Sequence, residues 1–577
     1  MSVVSNPTTY RPLPKARDRF AWLVVPALLF LACLYLYPMW DMLMRSIGGA
    51  SWSEHYHRIF TTPLYYEALL RTLGISFWVV VICVLIGYPV ALFIHRSRGL
   101  LKLLMIVSVV LPYFVAILVR TYSWAVVLGR NGPFNAALQW LGITSEPLEL
   151  MFNRWTVIGG ISSVLLPMMV LTIYSSLNRI QPVLYRAAAV TGANSLVRFW
   201  LIGLPLTLPS VGAGILLVFV TSLGFFITPT MLGGAGDQMF AMHITQQTDF
   251  ITSQGFPQAL GSVLLVVTMI LVAGAGRFIG FESIWGGQPE RQATAGEAHQ
   301  LSMFSRVATW PVVRTINRLP EWIGPVFTAI VSLVVFVAML APIVVVMILS
   351  FGNSRYLQFP PASFSLRWYE SFLSNPEWMN AFANSMMVAC ISVVISLVIG
   401  TCAALGIVRS NLPGKTALMM LFVSPIVVPG VVMGLSLYSM YLHLGLVGNP
   451  IGLAAAHSLG GLPIVIIILS ASLQGTGRTL EHAAAIHGAG PLRVFWQITL
   501  PAILPAMLAA GFFAFLHSFD ELVVTLFLSS PNLPTLPMKL WADVNYQLSP
   551  VLAVVSTVEV LVICIGLLVA GKGWRRK

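Results

Sequence analysis

Long apolar runs recur along the whole chain, separated by short polar stretches. At 1.5 Å of rise per residue, about 20 helical residues cross the roughly 30 Å hydrocarbon core of a bilayer. By that measure the pattern predicts spans near 20–45, 72–95, 104–128, 155–177, 206–228 and 258–280, and again near 324–350, 384–407, 416–440, 451–473, 507–528 and 549–571. Hydrocarbon offers no partner to an unpaired peptide group, so each span is expected to be a helix. The fold class is an all-α polytopic membrane protein with about twelve spans.

The two sets of spans are copies. Arg71, Gly87, Ala91, Arg96 and Ser97 match Asn384, Gly400, Ala404, Arg409 and Ser410 at a constant offset of 313, and Pro112 matches Pro425. From the fourth span onward the offset is 296, as in Leu166-Pro167 against Leu462-Pro463 and Gly192 against Gly488. Six spans separate equivalent points, so the halves share one orientation and are related about an axis along the membrane normal, which favours a pathway between them. The predicted organisation is a tail at 1–19, a first six-span half at 20–280, a linker at 281–323, a second half at 324–571 and a closing tail at 572–577.

Composition agrees: 57% of residues are hydrophobic, 9% are charged and the mean hydropathy is +0.86, against about 25% charged in a soluble domain. The formal charge of +13 does not form a nucleic-acid-binding patch, because Lys and Arg lie between apolar runs. Arg96, Arg98, Lys102, Arg409, Lys415 and the closing Lys572, Arg575, Arg576 and Lys577 favour cytoplasmic termini under the positive-inside rule. The basic stretch Arg11, Lys15, Arg17 and Arg19 precedes a run without a convincing cleavage site, which reads as a retained first span. All five cysteines fall in apolar runs without metal-type spacing, so no disulfide framework or metal site is expected.

The strongest repeated motif lies between the fourth and fifth spans. Tyr185-Arg186-Ala187-Ala188-Ala189-Val190-Thr191-Gly192, then Phe199-Trp200 and Leu204-Pro205, recurs as Glu481-His482-Ala483-Ala484-Ala485-Ile486-His487-Gly488, then Phe495-Trp496 and Leu500-Pro501. Alanines favour helix and the glycine favours a left-handed stop. Asn194-Ser195 and Gly490-Pro491 suit the start of a second helix. Two short helices are therefore expected to project as a knob beneath each half.

This arrangement resembles the membrane subunits of bacterial ABC importers, whose hallmark is an E-A-A, three residues, G loop followed by Leu-Pro. The stretch Leu111-Pro112-Tyr113-Phe114 through Trp124 resembles the first permease subunit of spermidine/putrescine-type systems, and Ser518-Phe519-Asp520-Glu521 with Thr535 through Trp541 resembles the second. Arg186 and His482 replace the family's acidic residue, with Glu481 one position earlier. The resemblance implies a type I importer fold and coupling loops built on Arg186, Ala187, Ala188, Gly192 and Pro205, and on Glu481, His482, Ala483, Ala484, Gly488 and Pro501. It further implies a cytoplasmic ABC ATPase homodimer, a periplasmic substrate-binding protein and an inner-membrane location. The chain has no G-x-x-x-x-G-K-[ST] loop, so no cofactor is expected on it and ATP/Mg belongs to the partner ATPase. The expected role is a pore subunit, not an enzyme.

Charged groups inside a span cost about 2.5–3.5 kcal/mol on insertion scales and usually face a cavity. Asp520 and Glu521 in the fifth span of the second half, and Glu559 in the last, are candidate path residues. The offset sets Asp520 and Glu521 against Gly224 and Phe225, so the path is expected to be asymmetric. Tyr113, Tyr122, Trp124 and Trp541 are available either for cation–π contact or as lipid-interface anchors. Arg120, Arg130 and Arg154 are placed on the external face, as solvated charges or contacts for a partner or an anionic solute group. A polyamine fits Asp520; the acid-free Gly224 to Pro229 leaves room for an aminophosphonate, an opine or ferric iron. The rival class is a major-facilitator-type secondary transporter, whose signature belongs between spans two and three; a channel or scaffold would not need duplicated loops.

Overall fold

The computed structural model describes residues 19–48, 52–190, 192–248, 255–279, 320–355, 359–546 and 550–574. The expected tail up to residue 18, the linker from 281 to 319 and residues 575–577 lie outside these described residues. In the first half the helices are α1 (Phe20–Ile47), α2 (Pro63–Arg96), α3 (Gly99–Phe114), α4 (Ile117–Leu128), α5 (Arg154–Leu177), α6 (Pro182–Val190), α7 (Ser195–Leu223) and α8 (Phe256–Ile279). In the second they are α9 (Ile323–Ser350), α10 (Pro376–Arg409), α11 (Lys415–Val423), α12 (Gly430–Leu444), α13 (Pro450–Gly475), α14 (Thr479–Ile486), α15 (Pro491–Phe519) and α16 (Val551–Trp574). Among the described residues nine helices are long and apolar enough to cross a bilayer, and two bent pairs join them. The closing α16 completes the predicted series.

The third span of each half is not one straight helix. The pair α3 and α4 bends by 104° and the pair leading into α12 bends by 91°. Val115 and Ala116 are extended, with ψ of 135° and 138°. In the second copy Pro429 occupies the N-cap of α12; it has no N–H to donate and keeps Val428 from helical geometry.

The fifth spans also differ from expectation. The second helix of each loop is not a separate stub but the first turn of α7 or α15, joined to it through a π-turn at Phe199–Gly203 or Phe495–Thr499. A wider turn just before Pro205 and Pro501 accommodates rings that cannot donate to the preceding turn. At the other end α15 stops at Phe519, so Asp520 caps the helix and Glu521 lies beyond it, not within it.

Within each half, the second span packs on the fourth and fifth. The repeat is visible in this packing: a Cβ on Gly87 would lie 3.1 Å from Met169 Cγ, and one on the equivalent Gly400 would lie 2.5 Å from Val465 Cγ1. Small residues at these crossings let backbones approach closely where lipid supplies no hydrophobic drive. The first spans cross over: α1 packs on α10, where Gly406 receives Val24, and α9 packs on α2. Each half therefore holds a helix of the other, which ties them into one body. Leu85, Leu333, Val398 and Leu508 face outward, as lipid contact requires.

Candidate functional site

The two loops share one backbone design. Helix α6 ends at Gly192 with φ of +83°, and α14 ends at Gly488 with φ of +83°. In the first, Gly192 N–H donates to Ala189 and Ala193 N–H to Ala188; in the second, Gly488 donates to Ala485 and Ala489 to Ala484. This is a Schellman cap, whose left-handed position suits glycine. The next helix is capped by Asn194, which accepts from Val197 N–H at 2.8 Å, or opens on Pro491. Neither α6 nor α14 buries a residue. Arg186, Ala187, His482 and Ala483 are exposed, and Ala188 and Ala484 are half-buried. The equivalent tips Val190 and Ile486 are 88% and 84% exposed, a pair of apolar knobs that no described residue covers.

The loops are fastened differently. Glu481 does not stand ready to meet a partner: its Oε1 accepts from Arg409 Nη2 at 2.9 Å and from Thr499 at 3.1 Å. Arg409 also donates to the Gly477 carbonyl, and Arg478 reaches back to the carbonyls of Val408 and Arg409, closing the C-terminus of α10. In the first half Tyr185 replaces Glu481 and lies beside Gly203, whose Cβ would come 3.1 Å from the phenol oxygen. Burial pushes the Tyr185 phenol up, against the opposing charge of Arg96, so a phenol stands in the first copy where the second has a carboxylate.

Between the halves lies a cavity of about 600 Å³, within the usual range for small-molecule sites. Both broken third spans and the ends of both fifth spans line it, and among its walls are Tyr113, Arg120, His517, Asp520 and Glu521. Asp520 and Glu521 thus reach the lumen because α15 ends there. The carboxyl groups of Asp520 and Glu559 lie by the backbone of Ile117 and Ala116, at the N-terminus of α4. A helix N-terminus favours negative charge. Glu521 Oε1 accepts from Val524 N–H at 3.0 Å and so caps the next short helix.

Arg120 is a correction. Instead of lying on the external face it is 6% exposed and points into this cluster, interacting electrostatically with Asp520 and Glu559. Its Nη1 donates to Val164 O at 3.4 Å, and its Nε has no hydrogen-bond partner among the described residues. The sequence signal existed, a charge in the run Ile117-Leu118-Val119-Arg120, but straight-span arithmetic placed it at the outer end. Of the remaining expected path residues, Glu559 is buried behind the wall. Tyr122 is buried, Trp124 donates to Ser163 at 3.0 Å and Trp541 packs on Phe226, so these three pack in the helix bundle and do not line the lumen. Arg154 pairs with Asp237 at 3.3 Å. His457, not expected, is clamped between Ser518 and Thr525 at 2.9 and 3.0 Å.

Two parallel copies of a six-span unit, each with a glycine-capped loop beneath a shared lumen, define a transport permease. The chain belongs to the family of binding-protein-dependent transport system inner membrane components, which matches at residues 83–280 and 392–571. It is similar to the spermidine/putrescine transport system permease protein PotB of Haemophilus influenzae, at 32% identity over 44% of this chain and 87% of that one. PotB of Escherichia coli is 35% identical over 38% and 79%. The putrescine transport system permease protein PotI of Escherichia coli is 31% identical over 42% and 88%. Each relative matches less than half of this chain, as one unit of a tandem pair would. The family makes the chain the membrane permease of an ABC importer, and the major-facilitator reading falls away.

Proposed function

We propose that the chain supplies the whole translocation path of its importer. The loops at Gly192 and Gly488 dock into a cytoplasmic ABC ATPase homodimer that binds ATP and Mg, and a periplasmic binding protein delivers the solute. Closure of the ATPase pushes both loops together, and the halves, interlocked through α1 and α9, rock about the lumen between outward and inward access. The observation that carries this reading is the pair of matched caps, both at φ of +83° and both ending in an exposed apolar tip. The basic residues at the ends of α2 and α10 support an inner-membrane placement with both termini cytoplasmic. Asp520 and Glu521 at the lumen support a small amino-bearing solute such as a polyamine, an aminophosphonate or an opine, and the relatives, permeases of spermidine/putrescine and putrescine systems, point to the first.

The test replaces Gly192 or Gly488 by valine in membrane vesicles carrying the complete transporter. A left-handed conformation costs a residue with a Cβ about 1–2 kcal/mol, and no atom lies within 4 Å of either added Cβ, so strain falls on the loop alone. Normal insertion with loss of ATP-driven uptake is expected. Wild-type uptake in both variants refutes the coupling role.

A further inference from the structure

The lumen is lopsided. Four of its polar wall residues are Arg120, His517, Asp520 and Glu521. The repeat offsets carry them to Met433, Thr221, Gly224 and Phe225, which also line the cavity. Thr221, the one polar member of that second set, donates its hydroxyl to the Leu217 carbonyl of its own helix. Gly224 faces Pro429, whose Cβ would lie 2.9 Å from an added Cβ. One of the two pseudo-equivalent seams between the halves is therefore ionic and the other is apolar.

On the ionic seam Arg120 and Asp520, of opposite charge, line the same cavity and interact electrostatically. Glu521 also lines the lumen but its Oε1 is engaged in capping, and Glu559 lies behind the wall, which leaves Arg120 and Asp520 as the oppositely charged pair offered to a solute. Asp520 lies by Ile117 at the N-terminus of α4, and Arg120, buried, has an Nε without a hydrogen-bond partner among the described residues. A buried donor without an acceptor is costly, and an arginine fork is matched by a carboxylate, phosphate or phosphonate.

Resting on the permease reading above, we infer that the solute carried through this lumen bears its ionised groups together at one end, an ammonium beside an anionic group, with an uncharged remainder. The ammonium takes Asp520, the anion takes Arg120, and the remainder lies along Met433 and Phe225. A diamine charged at both ends would set its second ammonium against the apolar seam. A solute with ammonium and carboxylate at opposite ends fits no better, because the far seam offers neither sign.

The test uses the full chain with its ATPase in lipid nanodiscs, and three six-carbon probes: norleucine, ε-aminocaproate and hexamethylenediamine. The readout is the ligand concentration that half-saturates a thermal-unfolding shift. Norleucine is expected to bind with the highest affinity. Arg120→Gln and Asp520→Asn should each weaken it by about tenfold or more, the scale of a lost charged hydrogen bond, with the unliganded midpoint reporting folding. Phe225→Glu adds an acid to the apolar seam and should create binding of hexamethylenediamine. Strongest binding of the diamine or of ε-aminocaproate by the wild type, no binding of any probe, or indifference of norleucine to Arg120→Gln overturns the inference. Because no ATP turnover enters the measurement, those outcomes leave the coupling role to the glycine variants.

Discussion

Replacing Glu481 by glutamine tests whether the second coupling loop is moved as one piece with the membrane helices. Glutamine keeps the shape but removes the charge that holds Arg409 Nη2 at 2.9 Å. The two side chains are only 5% and 16% exposed, so solvent screens the pair weakly. Arg409 retains the Gly477 carbonyl at 3.1 Å, so the loss is smaller than that of a fully buried pair. A hydrogen bond to a charged group contributes about 1.5–3 kcal/mol, which loosens the docked loop by roughly ten- to a hundredfold. Hydrogen exchange over 478–489 in the assembled transporter should accelerate by that factor, and more ATP should be consumed per solute imported. The first-half loop, which has Tyr185 in place of Glu481, should exchange as in the wild type. Unchanged exchange at 478–489 with unchanged coupling refutes the argument that this ion pair fastens the loop to α10.

Four other outcomes follow from the packing and the polar contacts. Gly400→Ala should destabilise the chain by about 1–3 kcal/mol through overpacking, because Val465 Cγ1 lies 2.5 Å from the added Cβ. Gly74→Ala, with nothing within 4 Å, should be neutral or slightly stabilising; unfolding midpoints in nanodiscs compare the two. His457→Leu strands the Ser518 hydroxyl, while Thr525 keeps its bond to the Glu521 carbonyl, and should cost about 1–3 kcal/mol, lowering the same midpoint. Arg154→Gln removes a pair whose arginine is 55% exposed and should cost under about 1 kcal/mol, with uptake retained.

The spans were legible because lipid forces length and apolarity on each of them, and the repeat was legible because the glycines at helix crossings and loop caps cannot change freely. Gly87 and Gly400 sit at equivalent crossings, and Gly192 and Gly488 share one backbone angle. Direction was not legible. Counting residues against bilayer thickness assumes a straight rod, so the bend after Pro112 was missed, and with it the turn that carries Arg120 from the outer rim into the lumen. The same assumption drew the fifth span through Asp520 and Glu521, which reach the cavity because α15 ends before them. Pairing across distance was equally hidden: Arg409 read as a topology signal and Glu481 as a displaced family acid, yet they meet across 72 positions.

The coupling claim is tested most directly at the loop tips. A photo-crosslinking residue at Val190 and, separately, at Ile486 would be activated in the assembled transporter, with and without nucleotide. The account predicts that each tip captures the ATPase subunit, and that the two together capture two copies of it per permease chain. Capture from only one tip, or full ATP-driven import by a chain in which both tips have been blocked, would contradict it.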